Sequence, residues 1–325
     1  MGLTRRHWMA LSLAATATAV RAEPGYPGKP VRIVVQYPAG GSTDTIARTI
    51  ADGLGKRLGQ PVIVENRAGA NGVIATDYVA KSAADGYTLL LTIPAPITAN
   101  LALYRKLPYD PRTDLRMISD VAVARTVLAV HPSVQATDVK SLIEAIRAAP
   151  GSFAVGSWGA GTLAHQVQVY IDKTYGLRTL HAAYKGEAPM VVDLIGGSIQ
   201  MTVASAAAMQ QHVATGKLRA LAAVGSTRIK SLPDVPTFAE QGYKDDIFAF
   251  AGPSSLMAPA KTPDDIVQRL GREMQAVVAQ PEVRQRIEAI GAEPIGNSPA
   301  EAAAAYQRLL PVVLQLVEAT GAKLD

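Results

Sequence analysis

Apolar positions along the chain fall into two alternating rhythms. Val31 to Tyr37 (VRIVVQY) is a continuous β-branched run of the kind buried in a parallel sheet, and Pro38-Ala39-Gly40-Gly41-Ser42-Thr43-Asp44 follows at once. Ile46, Ile50, Leu54 and Leu58 then recur every four residues, with Arg48, Asp52, Lys56 and Arg57 on the remaining surface. That spacing predicts an amphipathic helix, and Gly59 supplies its left-handed stop. Pro61–Glu65 and Tyr87–Thr92 read as further strands, with a short helix over Ala75–Ala83 between them. The order β-α-β-α-β is the half-unit of a doubly wound α/β domain.

After Leu115 the rhythm restarts. Strands are predicted at Thr126–Val130, Phe153–Val155, Leu180–Ala183, Gln200–Ala204 and Arg219–Val224. Helices separate them at Val139–Ala148, Thr162–Tyr175, Pro189–Ile195 and Ala206–Ala214. The tail then turns helical: Thr262-Pro263-Asp264-Asp265 opens a helix whose Ile266, Leu270, Met274 and Val277 share a face, and Ser298-Pro299-Ala300-Glu301 is a capping box. No repeat of fixed period is present. The pattern predicts an α/β protein of two lobes, each a sheet flanked by helices, around a cleft. Ligands of such sheets bind outside the carboxyl ends of the strands.

The chain has 325 residues, enough for two domains at roughly 150 residues each. With 48% hydrophobic and 18% charged residues it is too apolar for disorder. Arg5-Arg6 precede an apolar run from Trp8 to Val20 that ends in Val20-Arg21-Ala22, the pattern of a secretory signal peptide over residues 1–22. The run is Thr-interrupted and shorter than the roughly 20 apolar residues that span a bilayer. The arginine pair fits a twin-arginine signal and an ordinary one alike. Removing Arg5, Arg6 and Arg21 lowers the net charge from +5 to +2, too little for a general nucleic-acid binder. The absence of cysteine excludes disulfides, zinc fingers, thiol catalysis and iron–sulfur clusters.

Two strand-to-helix corners carry the candidate chemistry. At Tyr37–Asp44 paired glycines let a ligand approach the backbone, and the helix that follows begins with free N–H groups and a positive dipole end, which favour an anion. No Gly-Lys-Ser/Thr follows, so this is not a nucleotide P-loop. The plain alternative is a tight turn with a Ser or Thr cap. Gly156-Ser157-Trp158-Gly159-Ala160-Gly161-Thr162 repeats the arrangement in the second unit, so the two helix starts are expected to face one another across the cleft. Trp158 either lines that cleft or packs as a surface aromatic. Enzyme signatures are absent: there is no Gly-x-Ser-x-Gly elbow and no metal spacing among His131, His165, His181 and His212, which read as structural hydrogen-bonders. Glu65-Asn66-Arg67 reads as a local polar network, and Lys185 as a solvated loop residue or an anion contact.

The residues resemble a known family, the extracytoplasmic substrate-binding receptors of tripartite tricarboxylate transporters, or Bug proteins. The similarity runs through Tyr26–Arg32 (YPGKPVR), Pro38–Asp44 (PAGGSTD), Leu58–Val62 (LGQPV), Glu65–Ala70 (ENRAGA), Asp85–Leu90 (DGYTLL) and Leu107–Pro111 (LPYDP). It continues through Tyr184–Gly186 (YKG), Gly216–Leu221 (GKLRAL), Leu232–Thr237 (LPDVPT) and Gly291–Pro294 (GAEP). The resemblance implies a periplasmic, two-lobed Venus flytrap that closes on a small carboxylate and delivers it to membrane transporter subunits. It implies a monomer without enzymatic activity, cofactor, metal or nucleic-acid partner. Lobe one would be residues 23–123 plus 247–325, and lobe two residues 124–246.

Carried over from the resemblance, one ligand carboxylate would be held by backbone N–H groups and waters at Tyr37, Pro38, Gly41, Ser42 and Thr43. The loop after Thr92, at Ile93 and Pro94, would lie across from them. Lobe two would add Ser157, Trp158, Gly161, Thr162, Ala204 and Ser205. The chain departs from the family where Trp158, Ala160 and Ala204 replace polar residues, and where Ile93-Pro94-Ala95-Pro96-Ile97 is apolar. Those departures predict a less polar far end and an apolar or aromatic carboxylate as ligand. The competing readings are a secreted α/β hydrolase, which would show a buried Ser–His pair, and a receptor for sugars or metals. Against the latter stand an aromatic content of 5% and the lack of clustered histidines or carboxylates.

Overall fold

A computed structural model of the protein describes residues 25–249 and 252–324. The apolar N-terminal run and the Ala22 cleavage point lie outside them. Strands follow in chain order as β1 (Val31–Val35), β2 (Val62–Asn66), β3 (Thr88–Thr92), β4 (Leu115–Ala124), β5 (Thr126–Val130), β6 (Ala154–Ser157), β7 (Leu180–Ala183), β8 (Met201–Ser205), β9 (Arg219–Ala223), β10 (Pro253–Pro259) and β11 (Ala292–Pro294). They form two sheets, ordered β11-β4-β10-β3-β1-β2 and β7-β6-β8-β5-β9. In the first sheet β1 pairs parallel with β2 and β3, while β10 runs antiparallel to β3 and β4. In the second, β6 is parallel to β7 and β8, and β5 is antiparallel to β8 and β9.

Burial explains the apolar runs. Ile33 and Val35 of β1 face one cluster with Ile46, Ile50 and Leu54 of the helix Ser42–Leu58. Val34 points to the opposite face, against Ala75, Val79 and the C-terminal helix residues Ala302 and Tyr306. Each valine, leucine or isoleucine among them, taken fully out of water, contributes roughly 1.5–3 kcal/mol. The second sheet is likewise packed on both faces, by Leu128, Val130 and Val203 on one side and Val127, Ala129 and Ala204 on the other. The helix Pro299–Thr320 joins the halves, since Tyr306 packs under the first sheet while Leu316 reaches the cluster of the second.

Three strands, β4, β10 and β11, stand where the sequence pattern predicts none. β4, with Arg116, Ser119 and Asp120, lacks both an apolar run and an alternating one, yet it is largely buried in the middle of the first sheet. Its partner β10 arrives from more than a hundred residues later and is bounded by Pro253 and Pro259. Asp120 is the reason for the polar signal. It accepts hydrogen bonds from Ser255 Oγ (2.6 Å) and Asn297 Nδ2 (3.0 Å), while burial pushes its carboxyl above the usual carboxylate range. The first sheet is therefore mixed rather than purely parallel. β11 and the helix Pro281–Ala289 complete the tail.

Arg125 sits between β4 and β5, where the chain passes from one sheet to the other. Its buried guanidinium pairs with Glu293 and donates to Thr227 O (2.6 Å) and Val224 O (3.1 Å). Both strands at the crossing are thereby fastened to the loop after β9.

Candidate functional site

The first corner is built by the end of β1. The chain turns through Gln36–Gly41 into the helix Ser42–Leu58, whose N-cap is Gly41 in extended conformation with no side chain capping it. The N–H groups of that first turn are left to bind something else. Asp44 does not oppose an anion there as a free charge. Burial alone would raise its pKa, but Arg48 (3.0 and 3.0 Å), the Gly40 N–H (3.0 Å) and Asn66 Nδ2 (2.9 Å) outweigh it and hold the carboxyl below its ordinary range. Asn66 Nδ2 also donates to Tyr37 O (2.9 Å), tying β2 to the corner. Glu65 is engaged locally, by Arg67 Nε at 2.5 Å and Arg32 Nη1 at 3.1 Å.

The second corner follows β6. The helix Leu163–Tyr175 has Thr162 as N-cap, again without a side-chain cap, because the Thr162 hydroxyl donates to Gly159 O (2.6 Å) instead. The Gly161 N–H donates to His165 Nδ1 (3.0 Å), and His165 stacks on His181 at 4.0 Å between ring centroids. Burial, then the neighbouring His181, lowers the His165 pKa to about 4, so the ring accepts that bond as a neutral base. His181 Nε2 lies 2.7 Å from Ser157 Oγ. A hydrolase would need such a Ser–His pair, but here His181 is exposed while Ser157 is inaccessible and its hydroxyl donates to Gly159 O (3.0 Å). The pair braces the turn.

Both corners open onto one cavity of about 90 Å³. At roughly 10–15 Å³ per water this is room for on the order of six to nine water-sized groups, the scale of a small organic acid. Tyr37, Pro38, Gly41, Ser42, Thr43, Ile93 and Pro94 line it from the first half, and Trp158, Gly161, Thr162 and Ser205 from the second. Ser157 and Ala204 are not on it: Ser157 lies behind the turn, and Ala204 is fully buried in the apolar cluster beside Val127. Ala160 lines a neighbouring cavity, as does the exposed Lys185. Two of the departures behind an apolar far end, Ala160 and Ala204, thus do not meet the main cavity, whereas Trp158, Ile93, Pro94 and Ala95 do.

Residues not anticipated from sequence complete the lining. Glu187, Gln166 and Thr126 all line the cavity. Glu187 follows Gly186 at the start of the helix Glu187–Ile195, a third strand-to-helix corner whose Gly-Glu step was the available signal. Its Oε1 accepts from the Ser205 N–H (2.6 Å) and its Oε2 from Ser205 Oγ (2.8 Å). Gln166 Nε2 donates to Gly161 O (2.7 Å). Tyr37 OH, Thr126 Oγ1 and Gln166 Oε1 are buried without a hydrogen-bond partner among the described residues. Unpaired polar atoms of this kind cost about 1–3 kcal/mol each unless water or a ligand meets them.

The two halves touch closely around the cavity. Asn71 Nδ2, from the first half, donates to Ala160 O of the second (2.9 Å) and to Asn100 Oδ1 (2.7 Å). A side chain at Gly186 would come within 2.9 Å of Pro38 Cδ, so only glycine permits that approach.

A family profile described as "Tripartite tricarboxylate transporter family receptor" matches residues 46–312. The chain is 37% identical to protein BugT of Bordetella pertussis over 315 residues, covering 97% of this chain and 96% of that one. An R. palustris protein solved with adipate has the same fold, with TM-score 0.87 and 32% identity over 92% of this chain and 100% of the other. The structure of periplasmic binding protein BugD matches with TM-score 0.86 and 30% identity at the same coverage. These relatives are solute-binding proteins and not enzymes, and the Ser157–His181 pair is accordingly structural. The protein belongs to the tripartite tricarboxylate transporter receptor family, with the two-lobed periplasmic-binding-protein fold.

Proposed function

We propose that the protein captures a small carboxylate between its two lobes in the periplasm and presents it to the membrane subunits of a tripartite tricarboxylate-type transporter. The observation that carries this reading is the convergence of two uncapped helix starts, at Ser42 and Thr162, on one cavity from different sheets. Each provides N–H donors and a positive dipole end to an anion. Among the described residues, no lysine or arginine lines the cavity. A relative solved with adipate supports a carboxylate as the ligand class. Ile93, Pro94, Leu163, Val313 and the face of Trp158 would pack along the ligand's carbon chain. Lobes at residues 23–123 plus 247–325 and at 124–246 place the crossings beside Arg125 and before β10, and residues 1–22 would direct export of a monomer.

A ligand held by both lobes makes its full set of contacts only when they close, so it shifts the open–closed balance by its differential affinity. The test is a thermal-shift screen of the purified mature chain over mono-, di- and tricarboxylates. A bound acid at about 100 times its Kd adds roughly 2.7 kcal/mol of stability, an unmistakable rise in Tm. A screen in which sugars or metal ions raise Tm and no acid does would overturn the reading.

A further inference from the structure

Beside its helix starts the cavity also offers acceptors. Glu187 lines it with both carboxylate oxygens already receiving one bond each from Ser205, and no ion-pair partner faces it among the described residues. Gln166 has its amide N–H committed to Gly161 O, so the side-chain group left over is the carbonyl Oε1, which can only accept. Gln166 is 4% exposed, and Tyr37 and Thr126 are each 8% exposed, so bulk water does not serve their unpaired atoms. Burial, then the nearby Glu187 charge, raises the Tyr37 pKa, which keeps its hydroxyl protonated.

We propose, building on the carboxylate-receptor reading, that Glu187 is a specificity residue that pairs with a cationic amine on the ligand, so that the preferred ligand is an amino acid or other zwitterion rather than a dicarboxylate. The ligand carboxylate goes to the helix starts at Ser42 and Thr162, and the ammonium faces Glu187 and Gln166 Oε1. An ammonium has three donors and no acceptor, the complement of the Glu187 carboxylate and Gln166 Oε1. A second ligand carboxylate would bring another negative charge beside Glu187, and among the described residues no side-chain cation lines the cavity to offset it. A methyl end would leave Gln166 Oε1 unmet and the Glu187 charge without a cation beside it.

The experiment compares acids of equal length that differ only at the far end: γ-aminobutyrate, γ-hydroxybutyrate, butyrate and succinate, with their five- and six-carbon homologues and the α-amino isomers. Affinities are measured by calorimetry on the mature chain. The expected result is that an amino acid binds at least tenfold tighter than the hydroxy, alkyl and dicarboxylic acids of its length. Glu187→Gln keeps an acceptor for the Ser205 N–H while removing the charge, and should abolish that preference and strengthen dicarboxylate binding. If the wild-type protein binds a dicarboxylate, hydroxy acid or alkyl acid as tightly as the matching amino acid, the Glu187 assignment falls while the receptor reading stands. If no acid of any kind binds, the receptor reading itself falls. The wild-type ordering decides the matter even where the variant does not fold.

Discussion

Asn71 bridges the two lobes through Ala160 O, and removing its side chain should loosen ligand binding by a calculable amount. Its amide makes two bonds of different standing: Asn100 Oδ1 belongs to the same half and is met whether the cleft is open or closed, whereas Ala160 O is met only across the cleft. Asn71 has a left-handed backbone, φ 50° and ψ 38°, so alanine would add strain that confuses the result. Asn71→Gly accepts that conformation and removes only the side chain. The lost Asn100 bond and the freer unfolded chain lower stability but act equally on open and closed forms. The lost Ala160 bond acts on the closed form alone. At about 0.5–1.5 kcal/mol for a neutral hydrogen bond, affinity should fall roughly two- to twelvefold. The loss should appear as faster dissociation, because interface changes act mostly on that rate. Trp158 lines the cavity and reports binding, so stopped-flow fluorescence reads the rate directly. A folded Asn71→Gly protein whose dissociation rate matches wild type would show that this bond is not part of the bound state.

Three further outcomes follow from the same geometry. Gly41→Val should stay folded, since a side chain there meets no protein atom within 4 Å, yet lose at least tenfold in ligand affinity by crowding the first-turn N–H groups; unchanged calorimetric affinity would remove this corner from the site. Gly186→Val should hold the lobes apart through contact with Pro38, giving weaker binding and a larger radius of gyration with ligand present by X-ray scattering, and a normal closed radius would refute it. Because the folded His165 pKa is lowered from 6.5 to about 4, the unfolded chain binds more protons between those values, so stability should rise with pH across that window by up to about 1.4 kcal/mol per unit. Urea denaturation from pH 4 to 7 measures this slope, and His165→Gln should reduce it; an equal slope in both proteins would rule His165 out as its source.

The readable part of the fold was the part written in local periodicity. The run at β1, the four-residue spacing of Ile46, Ile50, Leu54 and Leu58, and the capping box at Ser298 each depend on neighbours in sequence. β4 and β10 depend on one another across the whole second lobe, and Asp120 is acceptable in the sheet interior only because Ser255 and Asn297 meet it there. The cavity shows the same division. Corners announced by glycines were visible, so Gly41, Thr43, Gly161 and Thr162 could be named in advance. Alternation along β8 could not say which of Ala204 and Ser205 faces the cavity, and the structure turns Ala204 into the core and Ser205 to Glu187. Glu187 itself reads as an ordinary exposed helix start until Ser205 is placed beside it.

The central claim is that an anionic carboxylate is held by helix-start N–H groups between two lobes. The most direct measurement is calorimetry of the wild-type mature chain with the tightest acid found in the screen, beside the amide in which its captured carboxylate is neutralised. The account predicts one acid per protein molecule and loss of at least tenfold in affinity for the amide, about 1.4 kcal/mol. An amide that binds as tightly as its acid would contradict it.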